Sequence, residues 1–224
     1  MKRKSALLSD RDIKGVILDI DGVLLDSLEI WKDLGRRYLK SRGIEAGEEL
    51  EEVLETMSME EGAGWLKKNY LPESTLSDIL SGLEELLRDY YFFEVTDMPG
   101  AKDLLRALKD KGIRITAATL SPKDLVERAL ERNGLTGYIE RIFTTGELGE
   151  GKNSSFIYDT AADFMGLERG EILVAEDSLY ALETAAEAGY HTAWIRSGED
   201  HEGGEKTAQI CLEDLREALA PAES

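Results

Sequence analysis

The chain has 224 residues, enough for one well-filled core and a smaller satellite domain. It is 42% hydrophobic and 33% charged, a globular balance, and its formal net charge of −19 repels phosphate backbones and anionic headgroups, which argues against nucleic acid or membrane partners. The single cysteine, Cys211, excludes a disulfide framework within the chain, fits a reducing cytosol and reads as a small buried apolar side chain. The basic start MKRKSALLSD carries no apolar run of signal-peptide length before Asp10, and no segment has the apolar run needed to span a bilayer, so a cytoplasmic protein is expected.

The first element is the apolar run GVILDI (15–20), a strand buried on both faces. It runs into Asp19 and Asp21, with Gly22 straight after, and buried carboxylates are costly unless something pairs with them. From 27 to 98 no convincing strand follows. Helical stripes run through Leu28, Trp31, Leu34 and Tyr38, then Leu50, Val53, Leu54 and Met57, then Trp65 and Leu66, then Leu76, Ile79, Leu80, Leu83 and Leu87. Met57 and Met59 read as core of that block, and the acidic run EAGEELEEVLE as a solvated helix face. Such a block is too long for a loop. It is expected to be a four-helix domain, 27–98, inserted into a core formed by 1–26 and 99–224, with the second boundary at Pro99-Gly100.

Beyond it, strands and helices alternate. A helix through Leu104, Leu105 and Leu108 precedes the strand GIRITAA (112–118). Ser121-Pro122 reads as an N-cap with proline at the first helical position, ahead of a stripe of Leu125, Val126, Ala129 and Leu130. Ile157, Ala161 and Phe164 line the next helix, EILVA (171–175) is the next strand, and Leu179, Leu182, Ala185 and Ala186 line the helix after that. HTAWI (191–195) and, more weakly, TAQICL (207–212) close the series. Gly112, Gly134, Gly166 and Gly189 sit where a helix is closed. The pattern predicts an α/β fold, a doubly wound parallel sheet covered on both faces.

Ligands bind at the carboxyl ends of the strands in such a sheet. Asp19 and Asp21 follow the first strand, Thr119 and Ser121 the second, Glu176 and Asp177 the third, and Lys152 lies on the loop GELGEGKNSS. Carboxylates from two strand ends form a hard oxygen site suited to Mg²⁺, whose charge, with that of Lys152, draws in an anion. Asp19 is then a candidate nucleophile and Asp21 a candidate general acid and base. The Thr119 hydroxyl and the backbone N–H groups that follow it, Leu120 included, are candidates to hold phosphate oxygens. Taken singly, each position also has a plain reading: turn aspartates at 19 and 21, a helix cap at Asp177-Ser178 and at Ser121, a solvated lysine at 152. His191, which opens a strand, and His201 read as structural or surface residues.

DIDGVLLDS, the threonine of ITAATLS, the lysine of GEGKNSS and the EDS of ILVAEDSLYALETAAEAG, in that order and spacing, resemble the haloacid dehalogenase-like phosphotransferases. The likeness is to the branch that contains β-phosphoglucomutase and phosphoglycolate phosphatase, and the helical insertion falls where that branch carries its cap domain. The resemblance implies Asp19 as nucleophile and metal ligand, Asp21 as acid/base and metal ligand, Thr119 and Lys152 on the phosphoryl group, and Asp177 as metal ligand supported by Glu176. It also favours phosphoryl transfer over halide displacement, since dehalogenases of this superfamily lack the second aspartate. Val23 stands where many members have threonine, and NSS follows Lys152 in place of a proline-containing run. Met59 falls where the mutases place an arginine for a second phosphate. The expectation is therefore a Mg²⁺-dependent phosphomonoester hydrolase of a small phosphorylated metabolite, working through an aspartyl-phosphate, as a monomer or weak homodimer. A sugar-phosphate phosphomutase and a non-catalytic metabolite-binding protein are the alternatives.

Overall fold

The computed structural model describes residues 12–54, 57–196 and 203–219. The basic N-terminal run, Glu55 at the end of the acidic run, and His201 lie outside the described residues. Contacts divide the chain into two compact units, Met1–Asp26 with Thr96–Ser224, and Ser27–Val95.

The first unit is built on six parallel strands, β1 (Gly15–Leu18), β2 (Arg114–Thr119), β3 (Arg141–Thr144), β4 (Ile172–Glu176), β5 (His191–Ile195) and β6 (Ile210–Leu212), in the order β3-β2-β1-β4-β5-β6. All four residues of β1 and Ile172 to Ala175 of β4 are buried apolar residues, which is why both read as unbroken apolar runs up to Asp19 and Glu176. Their register pairs Leu18 with Ala175, so Asp19 and Glu176 leave the sheet side by side. The chain runs outward from β1 through β2 to β3, then returns to place β4 on the other flank of β1. The β1/β4 junction is thus the switch point of the sheet, at whose carboxyl edge ligands bind in folds of this kind. The strand β3 was not expected: it has four residues, begins at an exposed arginine and occupies the sheet edge, so Ile142 and Phe143 are its only apolar core residues.

Among the described residues ten α-helices follow in chain order. The second unit holds α1 (Leu28–Ser41), α2 (Leu50–Leu54), α3 (Met59–Asn69) and α4 (Leu76–Asp89). The first holds α5 (Ala101–Asp110), α6 (Lys123–Arg132), α7 (Thr145–Leu148), α8 (Phe156–Met165), α9 (Leu179–Ala188) and α10 (Gly204–Thr207). In the first unit they cover both faces of the sheet. On α8 the residues Ile157, Tyr158, Ala161, Ala162 and Met165 are buried with Ile17 and Val174 of the central strands. Phe164, expected on that stripe, is 38% exposed and lies over Phe143 at the rim. Helix α6 starts one residue later than expected, with Pro122 at its N-cap, which frees Ser121 from capping. Cys211 is half-buried beside Trp194, Leu182 and Ala208, and His191 is hydrogen-bonded to Gln209 and to the carbonyl of Gly170.

The second unit is helical throughout its regular elements. In it α1 packs on α2 and α4, and α3 on α4. Two reciprocal caps start helices here, Ser58 with Glu61 and Thr75 with Asp78. Trp31 and Leu76 were expected inside but are 42% and 41% exposed, with Ile30, Leu34, Tyr38 and Leu39 filling the interior instead. Met57 and Met59 are half-buried and border a cavity of about 230 Å³ with Trp31, Leu54 and Leu66. The first unit resumes at Thr96, three residues before the expected boundary, because 96–98 pair with the end of the β1 loop: Asp26 N–H donates to Thr96 O at 2.9 Å and Met98 N–H to Leu24 O at 2.9 Å.

Candidate active site

The segment after β1 is shaped by its own backbone. Asp19 N–H continues the ladder to Ala175 O at 3.0 Å, and the N–H groups of Leu24 and Leu25 both return to Ile20 O at 2.8 Å. Gly22 turns the chain with φ 73°, a conformation that residues with a Cβ resist. Val23, Leu24 and Leu25 are fully buried and anchor the turn. Asp19 and Asp21 are thereby fixed at the carboxyl edge by main-chain bonds and apolar anchors.

Around Asp19 the charges converge. Lys152 is 1% exposed, and its Nζ donates to Asp19 Oδ1 at 2.7 Å and to Glu176 Oε1 at 2.9 Å. Tyr158, fully buried, donates its hydroxyl to Glu176 Oε1 at 2.8 Å. Asp19 Oδ1 also accepts the N–H of Ile20 at 2.7 Å. On the neighbouring side, Ser121 Oγ donates to Asp21 Oδ2 at 2.6 Å, the Thr119 hydroxyl lies 3.5 Å from the same oxygen, and Thr119 Oγ1 accepts the Ser121 N–H at 3.0 Å. The turn after β4 is held by Trp194 Nε1–H donating to Asp177 O at 3.4 Å.

One lysine serves two buried carboxylates, so negative charge is in excess. Burial pushes the Asp19 carboxyl well above its usual range, Glu176 and Asp21 push the same way, and Lys152 opposes them. Burial also raises Glu176, against the pull of Lys152 and the Tyr158 hydroxyl. Burial would lower the Lys152 ammonium, but Asp19 and Glu176 together hold it above its ordinary value, so it stays charged. A cation added to this cluster would offset the excess negative charge of the two carboxylates.

The donor set fits such a cation. One oxygen each from Asp19, Glu176 and Asp177 lie within 4.8 Å of one another, all hard ligands of the kind Mg²⁺ takes. Glu176 Oε2 is buried without a hydrogen-bond partner, an arrangement that costs free energy unless something else satisfies it.

Among the expected site residues, Asp19, Lys152 and Glu176 are in direct contact, Asp177 joins them through the oxygen cluster, and Asp21 and Thr119 form the adjoining hydrogen-bonded group. Leu120 sits on the same loop with its side chain 54% exposed. Ser178 caps α9 by position but makes no side-chain capping bond. Two contributors escaped sequence reasoning. The sequence marks Ser121 as a cap, whereas in the structure its hydroxyl donates to Asp21. Tyr158 was not singled out, although a tyrosine facing a helix's buried side needs a hydrogen-bond acceptor inside the protein.

A model of the haloacid dehalogenase-like hydrolases matches residues 13–189. The chain belongs to this family. A phosphorylated carbohydrates phosphatase of Thermotoga maritima is 25% identical over 177 residues, covering 79% of this chain and 82% of that protein. A phosphoglycolate phosphatase of Aliivibrio fischeri is 24% identical, covering 85% and 87%. Among solved structures, a Thermotoga maritima protein named as a β-phosphoglucomutase superposes with a TM-score of 0.83 at 23% identity, covering 92% of this chain and 97% of its own. This haloacid dehalogenase-like chain therefore shares its hydrolase family with enzymes named for phosphorylated small molecules. Among its described residues no helix is long and apolar enough to cross a membrane.

Proposed function

We propose that the chain is a Mg²⁺-dependent phosphomonoesterase of a small phosphorylated metabolite, with Asp19 as nucleophile. The observation that carries this reading is the buried lysine–carboxylate cluster at the β1/β4 junction, with its orphaned Glu176 oxygen and with Asp21 beside it. The names of the relatives support the substrate class.

In this reading an Asp19 carboxylate oxygen attacks phosphorus, the bond to the leaving oxygen breaks, and Asp21 gives that oxygen its proton. Asp21, now ionised, takes a proton from water as the water attacks the aspartyl-phosphate, which frees Asp19 and inorganic phosphate. Lys152 offsets negative charge beside Asp19 throughout, and Thr119 with the N–H groups after it offers donors to phosphoryl oxygens. Ser121 orients Asp21 through its 2.6 Å hydrogen bond. Asp19, Glu176 and Asp177, with Asp21, would hold Mg²⁺, which when bound supplies positive charge to the cluster and the phosphate. Residues 27–95 would be the cap domain of the chain. Met59 brings no cation to that unit for a second phosphate, which favours hydrolysis over a bisphosphate mutase cycle.

The test is phosphate release from a panel of sugar phosphates, phosphoglycolate, nucleotides and an aryl phosphate, with Mg²⁺ and with chelator. Mg²⁺-dependent release that Asp19→Asn abolishes is expected. Release undiminished in that variant would remove Asp19 from its role, and isomerised product without free phosphate would establish a mutase.

A further inference from the structure

The two oxygens of Glu176 are treated very differently. Lys152 and Tyr158 both donate to Oε1, at 2.9 and 2.8 Å, while Oε2 is buried with no hydrogen-bond partner. A carboxylate turns easily about its last torsion and would otherwise share two donors between two oxygens. The lysine cannot by itself fix that torsion. Its ammonium is also bound to Asp19 at 2.7 Å and swings on a flexible stem.

The tyrosine can. Its ring is fully buried on α8 and lies edge-on to Tyr190 with centroids 6.1 Å apart, so its hydroxyl arrives at one place. The other nearby acceptor, Ala181 O, is 3.5 Å away. Packing alone does not call for the hydroxyl, since phenylalanine would fill the same core position and a buried hydroxyl loses hydration unless it is bonded.

We propose that Tyr158 is a positioning residue for the divalent cation: its hydroxyl locks the Glu176 carboxylate so that Oε2 is left open to the metal. This rests on the metal-dependent reading above. Hydrogen-bond partners behind a metal ligand commonly account for ten- to a hundredfold in metal affinity.

The experiment is Mg²⁺ titration by calorimetry into metal-free wild type, Tyr158→Phe, Glu176→Gln and the double variant, with thermal unfolding of each metal-free protein alongside. Tyr158→Phe is expected to unfold cooperatively, to bind Mg²⁺ about tenfold more weakly, and to raise the KM for Mg²⁺ while kcat at saturating Mg²⁺ stays near wild type. In the Glu176→Gln background the same substitution is expected to change affinity little, because the group it acts through is altered. Wild-type affinity in Tyr158→Phe, or an undiminished tenfold loss in the Glu176→Gln background, would overturn the proposal and leave the metal reading standing. A wild-type protein that neither binds nor needs Mg²⁺ would overturn both.

Discussion

Tyr158 and Asp159 are neighbours on α8, and each belongs to a group of tyrosine, carboxylate and cation. In the group around Asp159 every donor finds a place. Tyr190 donates to Oδ1 at 2.7 Å, Ser155 to Oδ2 at 2.8 Å, and Arg169 grips both oxygens at 2.9 and 2.8 Å. Burial would raise that carboxyl, yet the hydrogen bonds from Tyr190, Ser155 and Arg169 outweigh it and hold it below its usual range. The group around Tyr158 has similar parts and the opposite outcome. It is buried, one ammonium serves two carboxylates, an oxygen is orphaned, and Asp19 and Glu176 are both driven upward. A cluster that only ties elements together is complete by itself, whereas a cluster left short of positive charge is prepared for a ligand that brings it.

The contrast can be broken most forcefully at Asp19. Asp19→Asn is expected to lower phosphate release by about four orders of magnitude or more while the fold is kept, read by phosphate assay and circular dichroism. Next comes Lys152→Met, which strands two buried carboxylates. Urea unfolding at neutral pH should show a loss of about 3–5 kcal/mol, shrinking as the pH falls because protonated carboxyls need no cation. Adding Mg²⁺ should complete the buried cluster. At a hundred times its dissociation constant it should stabilise by about 2.7 kcal/mol, seen as a rise in Tm. At a fixed Mg²⁺ concentration the rise should grow with pH, since the raised pKa values of Asp19 and Glu176 leave more protons for the cation to displace at low pH. The smallest effect belongs to the completed cluster. Arg169→Ala should cost at most about 1 kcal/mol at neutral pH and leave phosphate release unchanged. Because Asp159 is held below its ordinary value, its contribution is full above that value and disappears as pH falls through the folded one. Wild type and the Arg169 variant should therefore converge in acid, when unfolding is compared at both pH values.

The sheet was legible where strands are buried on two faces. In β1 and β4 a charged residue following an apolar run stands out, which is why Asp19 and Glu176 could be picked from the chain. The edge strand β3 has no such contrast. Helix faces were read less well. Periodicity counts Trp31 and Phe164 as interior, yet both lie at rims, where a large ring covers an edge instead of entering the core. The same weakness hid Tyr158. The stripe of Ile157, Ala161 and Phe164 points to one side of α8, while the buried face is broader and includes Tyr158 and Ala162. Ser121 was hidden by its own versatility, since a serine before proline has an obvious capping role and its bond to Asp21 bridges residues 100 apart.

The crossings into the helical insertion are themselves hydrogen-bonded, Asp26 N–H to Thr96 O at 2.9 Å. To the sheet, then, some seventy residues are equivalent to a closed loop with its ends already joined. The entropy of closing a loop grows only with the logarithm of its length, about 0.6 kcal/mol for each doubling. Lengthening or shortening the insertion should therefore shift the thermodynamics of the α/β unit only slightly. Variation can gather between residues 26 and 96 at little cost to the unit that holds the carboxylates.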